Sequence, residues 1–222
     1  MTNNSAGHIL AIDSSTSVLR VGLRLPDGDI ISRENKDRFR HAEFIFGLIE
    51  DVLKAGSIDK NSLEAIVIST GPGSFTGLRV GMSAAKGLAV ALEIPLIGIT
   101  TFSAVAKELF KQFGPTAALI PSRRDEFYFG LIKAAEFEKN SIVILKTNEI
   151  ESKLNNINVY GIDFDLSAIQ FSKNININIV DYKIEIADFI AAGIEKYKTD
   201  GADNLFLIEP FYAQNFPVKR PK

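Results

Sequence analysis

Residues 66–92 read IVISTGPGSFTGLRVGMSAAKGLAVAL, and no other stretch restricts the fold as much. The first four are apolar and mostly β-branched or small, which marks a buried strand; Gly71-Pro72-Gly73 breaks it, and a helix resumes from about Thr76. That helix is built from Gly81, Ser83, Ala84, Ala85, Gly87, Ala89 and Ala91, so little side-chain bulk separates its backbone from whatever packs on it. A glycine loop feeding a helix N-terminus gathers unpaired N–H groups and the positive end of the helix dipole, which suits a phosphate or carboxylate. The spacing is G-x-G-x-x-x-G through Gly71, Gly73 and Gly77, one residue longer than the dinucleotide fingerprint, and no Gly-Lys-Ser/Thr follows as a P-loop needs. Spacing alone leaves two readings open: an anion cradle, or a tight turn with close helix packing.

With 222 residues and 46% hydrophobic composition, the chain can build one large or two small cores without covalent staples. It has no cysteine, which removes disulfides, thiolate zinc sites and cysteine nucleophiles. The first seven residues lack a signal-peptide pattern and no apolar run reaches membrane-span length, so the expectation is a soluble cytoplasmic protein with no membrane partner. A formal charge of −2 with interspersed signs gives no general nucleic-acid footprint. Only Arg123-Arg124 and the tail Lys219, Arg220 and Lys222 are locally basic, which usually means solvation.

Residues 8–12 read as a strand delivering Asp13-Ser14-Ser15-Thr16-Ser17, a hydroxyl-rich turn that can present phosphate or metal-water ligands or simply be an Asx-type turn. Residues 18–25 and 29–33 follow as a hairpin around Pro26-Asp27-Gly28. From His41 to Ala55 the apolar period becomes helical, through Phe44, Ile45, Leu48, Ile49, Val52 and Leu53, with Gly56 placed as the stop. Phe46 lies off that stripe, which together with Gly47 leaves open a second packing partner or an ordinary exposed aromatic. A strand over 94–99 and a helix over 101–113 complete a β-β-β-α-β-α-β-α order, a mixed sheet with helices on its faces. After Gly114-Pro115 three strands open the second half, over 116–120, 127–134 and 141–146. The asparagine-rich stretches 155–158 and 174–178 carry weak strand signals, and 184–197 is a helix. The expected subdomains are 1–113 and 114–222.

The segments ILAIDSST (9–16), STGPGSFTGLRVG (69–81), IPLIGITT (94–101) and EFYFG (126–130) stand in the order and spacing of the TsaB (YeaZ) family, which the chain resembles closely over roughly its first 130 residues. That resemblance implies the ASKHA fold of acetate and sugar kinases, Hsc70 and actin: α/β, two ribonuclease-H-like subdomains with mixed sheets, the second one reduced. It further implies a non-catalytic subunit that binds and activates TsaD in making threonylcarbamoyladenosine (t6A) on tRNA, together with TsaE. Such a subunit forms a homodimer in isolation and meets tRNA only through the complex. No cofactor is expected on this chain; ATP or ADP and metal belong to the partners.

TsaD carries a His-x-x-x-His metal site just after the strand matching 94–99, where this chain has Thr101 and Val105, so metal chemistry is missing. No catalytic residue is expected, and with no histidine near Ser69, Ser74 or Ser83 in sequence a peptidase label has no residue-level support. The family's Asp-Ala-Arg stretch is Pro121-Ser122-Arg123 here, and its Pro-x-Tyr-x-Arg element is Pro210-Phe211-Tyr212-Ala213-Gln214. The expected partner surface comprises Phe44, Ile45, Phe46, Leu48, Leu78, Gly81, Met82 and Ala85 on the two first-half helices. A vestigial anion or nucleotide site is expected at Asp13, Ser14, Thr16, Gly71, Gly73, Ser74, Thr76 and Gly77. The alternatives are an ASKHA-type small-molecule phosphotransferase, with Asp13 holding a metal-bound water, and a tRNA-binding module, which the charge balance opposes.

Overall fold

The computed structural model describes residues 7–37, 40–123, 125–153, 158–164 and 179–211. The first sheet is laid down by β1 (His8–Asp13), β2 (Leu19–Arg24) and β3 (Ile30–Asn35), an antiparallel meander, and then by β4 (Leu63–Gly71) and β5 (Leu96–Thr100), parallel to β1. Its order is β3-β2-β1-β4-β5. β1 and β4 are apolar on both faces, as strands covered by helices on each side must be, whereas the edge strand β3 alternates toward solvent. Helices α1 (His41–Ala55) and α2 (Phe75–Leu92) cover one face, burying Ile45, Ile49, Val52, Met82 and Ala85 on Leu10, Ile12, Ile66 and Ile68.

The second sheet repeats the plan. β6 (Thr116–Pro121), β7 (Glu126–Ile132) and β8 (Val143–Lys146) form the meander, α4 (Thr147–Lys153) follows after α3 (Thr101–Phe113), and β9 (Asn158–Ile162) and β10 (Ile179–Tyr182) run parallel to β6. The order β10-β9-β6-β7-β8 is that of the first sheet, strand for strand, so the chain is two ribonuclease-H-like units and has the ASKHA architecture. Reduction of the second unit lies in element length rather than strand number: α4 has 7 residues where α1 has 15, and β8 and β10 have 4 each. The sequence reading did not mark α4 or β10, and of its weak strand signal at 155–158 only Asn158 falls in β9; 155–157 and 174–178 lie outside the described residues.

Between the sheets lie α3 and α5 (Ile186–Asp200): α3 packs on β4 and β5 of the first unit and β6 and β7 of the second, whereas α5, which follows the second sheet in sequence, packs on α3 and on β1, β2, β4 and β5 of the first. Their central core includes the fully buried Phe102 and Phe189 against Ala11, Val67, Ile97, Ala118 and Ile162. Each such phenylalanine contributes about 1.5–3 kcal/mol by burial.

One acidic group sits in this layer. Asp188, in the first turn of α5, receives the Tyr182 hydroxyl at 3.5 Å, and burial, then the Glu108 charge on α3, push its carboxyl up to about 6. Burial likewise pushes the Tyr182 phenol up. Because the folded chain keeps a proton that an unfolded aspartate releases near pH ~3.9, folding takes up a proton between about pH 4 and 6. Stability should therefore fall as pH rises through that window and stay lower above it. Asp188→Asn is expected to stabilise the chain by about 1 kcal/mol at pH 7, a figure discounted for partial solvent screening, and to be neutral at pH 4, as urea unfolding at the two pH values would read.

Candidate functional site at the junction of the two sheets

Asp13 ends β1 in the fully buried turn the sequence marked, and its Oδ1 accepts from the Ser15 N–H (2.9 Å) and hydroxyl (2.7 Å). The glycine loop meets this turn directly. The Ser74 N–H donates to the Ser15 carbonyl at 2.6 Å, the Ser14 N–H donates to Ser69 Oγ at 3.2 Å, and a Cβ on Gly73 would stand 1.9 Å from Ser15 O. Ser74 is the N-cap of α2, its Oγ accepting from the Gly77 N–H at 3.2 Å. Two segments some 60 residues apart in sequence are thus joined as expected, but the Ser74 and Gly77 N–H groups an anion would use are spent within the chain. Gly71, at φ +90°, places the turn, with Leu78 Cδ1 2.7 Å from where its Cβ would be. Thr76 is exposed beside it.

The residues that complete the junction are Arg20 and Asp163, neither singled out from sequence. Arg20 is buried in β2, opposite Asp13 in the hairpin register. Its guanidinium grips Asp163 with a two-pronged contact, Nη1 to Oδ2 at 2.6 Å and Nη2 to Oδ1 at 2.9 Å, and reaches Asp13 Oδ2 at 3.4 Å. Burial opposes the charge on Arg20, but the Asp13 and Asp163 carboxylates outweigh it and hold the guanidinium above its ordinary range. Asp163 follows β9 and also accepts from Thr16 Oγ1 (2.8 Å) and the Ile184 N–H (3.2 Å), so this cluster ties the first unit to the second.

Two cavities flank the cluster, and Asp163 walls both. One, of about 350 Å³, is mostly apolar and lies toward α1 and α2, with Val80, Ile120, Ile162 and Phe164 against Thr16, His41, Ser74 and Thr76. The other, of about 670 Å³, opens between β3 and β10 and is lined by Arg33, Glu34, Asp181 and Lys183. His41 Nε2 lies 3.1 Å from the Thr16 carbonyl and donates to it, leaving Nδ1 as a buried acceptor without a partner.

A nucleotide with its metal, which kinases of this fold bind between the two units, does not fit this donor set. Both Asp13 oxygens and both Asp163 oxygens already have donors, and the cation among them is the guanidinium. Thr101 donates its hydroxyl to the Pro72 carbonyl at 2.9 Å, and Val105 is buried core. Among the described residues no three His, Cys, Asp or Glu side chains gather as a metal site.

The expected partner surface needs correction. Ile45, Leu78, Gly81, Met82 and Ala85 are buried against the chain's own sheet, and Gly81 is there because a Cβ would come within 2.1 Å of Ser14 Oγ. Phe44 and Leu48 are half-buried beside the same core, with the Arg40 guanidinium 4.9 Å above the Phe44 ring. Phe46 alone of that set is exposed, at 55%. The outward faces of α1 and α2, which pack side by side, carry Ala42, Phe46 and Gly47 on one helix and Ser83, Gly87 and Val90 on the other. A Cβ on Gly47 or Gly87 would meet nothing within 4 Å.

No helix among the described residues is long and apolar enough to cross a membrane. Comparison with known proteins agrees with this architecture. The profile of the family described as "TsaD: tRNA N6-adenosine threonylcarbamoyltransferase" matches residues 36–197. The tRNA threonylcarbamoyladenosine biosynthesis protein TsaB of Escherichia coli K12 is 32% identical over 148 residues, 66% of this chain and 62% of that protein. TsaB of Haemophilus influenzae is 33% identical over 126 residues, 56% of this chain and 53% of that protein. The chain thus spans less than two thirds of the length of these relatives. The solved YeaZ from Pseudomonas aeruginosa superposes with a TM-score of 0.78 at 21% identity, covering 93% of this chain and all of that one, which shows a shared fold. With two ribonuclease-H-like units in tandem and a family match across most of its length, this chain belongs to the TsaD family, and within it the likeness is to the TsaB, or YeaZ, members.

Proposed function

We propose that this chain is a non-catalytic partner subunit that binds and activates TsaD in threonylcarbamoyl transfer to tRNA, acting in the cytoplasm with TsaE and pairing with itself when TsaD is absent. The observation that carries this reading is the outward face of α1 and α2. Ser83 and Gly87 leave the α2 backbone open to close approach, and Phe46 and Val90, 55% and 58% exposed, stand on the same two helices. A helix pair from a partner can nest there, with the phenylalanine as anchor. The junction supports the same reading, since Arg20 fills the place at Asp13 that a phosphotransferase needs for its metal-bound water.

The decisive experiment is reconstituted t6A formation on unmodified tRNA with the cognate TsaD, TsaE and threonylcarbamoyl-AMP synthase, with and without this chain. Dependence on the chain, with no ATP turnover by the chain alone, supports the proposal; indifference to it sinks the proposal. Gly87→Leu is expected to weaken pairing with TsaD by about 30-fold or more, the loss of a hot-spot contact, and to lower t6A yield in proportion. Its unfolding midpoint should not fall, because the site is open on the isolated chain. Unchanged pairing would place the contact on another surface.

A further inference from the structure

We propose that Arg20 is a permanent internal cation that latches the two units together across their cleft, so that the chain behaves as one rigid body without the opening and closing on which nucleotide-binding members of this fold depend. The latch stands at the carboxyl ends of β1 and β9, at the crevice where open α/β sheets take their ligands. It is built as a closed circuit. Arg20 is 6% exposed, its guanidinium spans Asp13 from the first unit and Asp163 from the second, and the remaining carboxylate lone pairs are met by Ser15, Thr16 and the Ile184 N–H. Three of these contacts bind the units to each other, both prongs on Asp163 and the Thr16 hydroxyl, while the contact to Asp13 fixes the guanidinium within the first unit.

Two physical properties make the contact permanent rather than a gate. A guanidinium keeps its charge throughout the accessible pH range, so the latch is not released by loss of a proton from its cation. Opening the cleft would also part a buried, two-pronged ion pair in low dielectric, where its attraction is largest. The latch splits what would be one interunit cleft into the separate cavities of about 350 and 670 Å³, each walled by Asp163. A phosphate chain entering between them would meet two carboxylates already satisfied and would have to expel Arg20 from both.

The chain has no cysteine, so Lys60→Cys on the first unit and Asn148→Cys on the second, both exposed, take spin labels cleanly. Labelled protein diluted into unlabelled protein reports the distance between units by pulsed electron resonance. The otherwise unaltered chain should show one narrow distribution, the same with and without millimolar magnesium–ATP. Asp163→Asn, which keeps the side-chain shape and leaves Arg20 paired with Asp13, should add a second, longer component; Arg20→Met should do so more strongly, provided circular dichroism shows it folded. A folded Asp163→Asn chain with an unchanged distribution would overturn the proposal. So would a shift caused by magnesium–ATP in the unaltered chain, a measurement that needs no variant to fold. These outcomes are independent of whether the chain activates TsaD, because no partner is present.

Discussion

Gly77→Ala is expected to cost about 4 kcal/mol of stability, seen as a lowered urea midpoint at unchanged slope. A single methyl would normally help a helix by replacing glycine, by about 0.5–1 kcal/mol. Here the sign reverses, since the added Cβ would lie 2.3 Å from the Ser14 carbonyl oxygen and 3.2 Å from the His41 ring. The Ser14 backbone has no room to withdraw. Its N–H is tied to Ser69, and its neighbours Asp13 and Ser15 are tied to Arg20 and to the Ser74 N–H. Either α2 lifts off the sheet, exposing Leu78 and Met82, or the β1–β2 turn breaks. Gly87→Ala is the matched control, on the same helix but facing open space, and should gain a few tenths of a kcal/mol. A Gly77→Ala chain within 1 kcal/mol of the unaltered protein would mean the helix does not sit against that turn.

Arg20→Met should lower stability by about 3–5 kcal/mol, because it leaves two buried carboxylates without their cation. The loss is a penalty for stranded charge more than a measure of what the pair contributes, and a cycle distinguishes the two. Asp163→Asn in the Arg20→Met background removes one stranded carboxylate, so the double variant should be more stable than the sum of the singles by about 1–3 kcal/mol. Additive losses would show that the guanidinium and Asp163 are not coupled. Arg20→Lys should fall between, since one ammonium cannot form the two-pronged contact with Asp163 while also reaching Asp13.

The first unit was largely legible because its signals are local and redundant. The bounds 41–55 and 101–113 follow from one apolar stripe each and a glycine just past the last turn of each, and the structure has helices over those residues. The second unit carries weaker signals for the same fold: β9 and β10 are 5 and 4 residues long, too short for alternation to show, and pairing with β6 rather than local pattern makes them strands. The orientation of α2 was not legible at all. A helix small on every side does not reveal which face meets the sheet, and so Gly81 and Ala85 were assigned outward while Gly87, which faces solvent, was not. At the junction, Asp13 and the glycine loop were found from their turn chemistry. Arg20 had one usable signal, an arginine in the buried row of a hairpin strand facing Asp13; Asp163, 143 residues from Arg20, had none in sequence.

The exchange of helices between the units bears on how the chain is made. All five strands of the first sheet have been translated by Thr100, yet the face carrying Ile9, Ala11 and Val67 has α5 as part of its cover, and α5 begins at Ile186. At ~5–20 residues per second the ribosome needs about 5–20 s to complete that helix. For that interval a nascent first unit presents that apolar sheet face without its α5 cover, long enough for a chaperone or another nascent chain to find it.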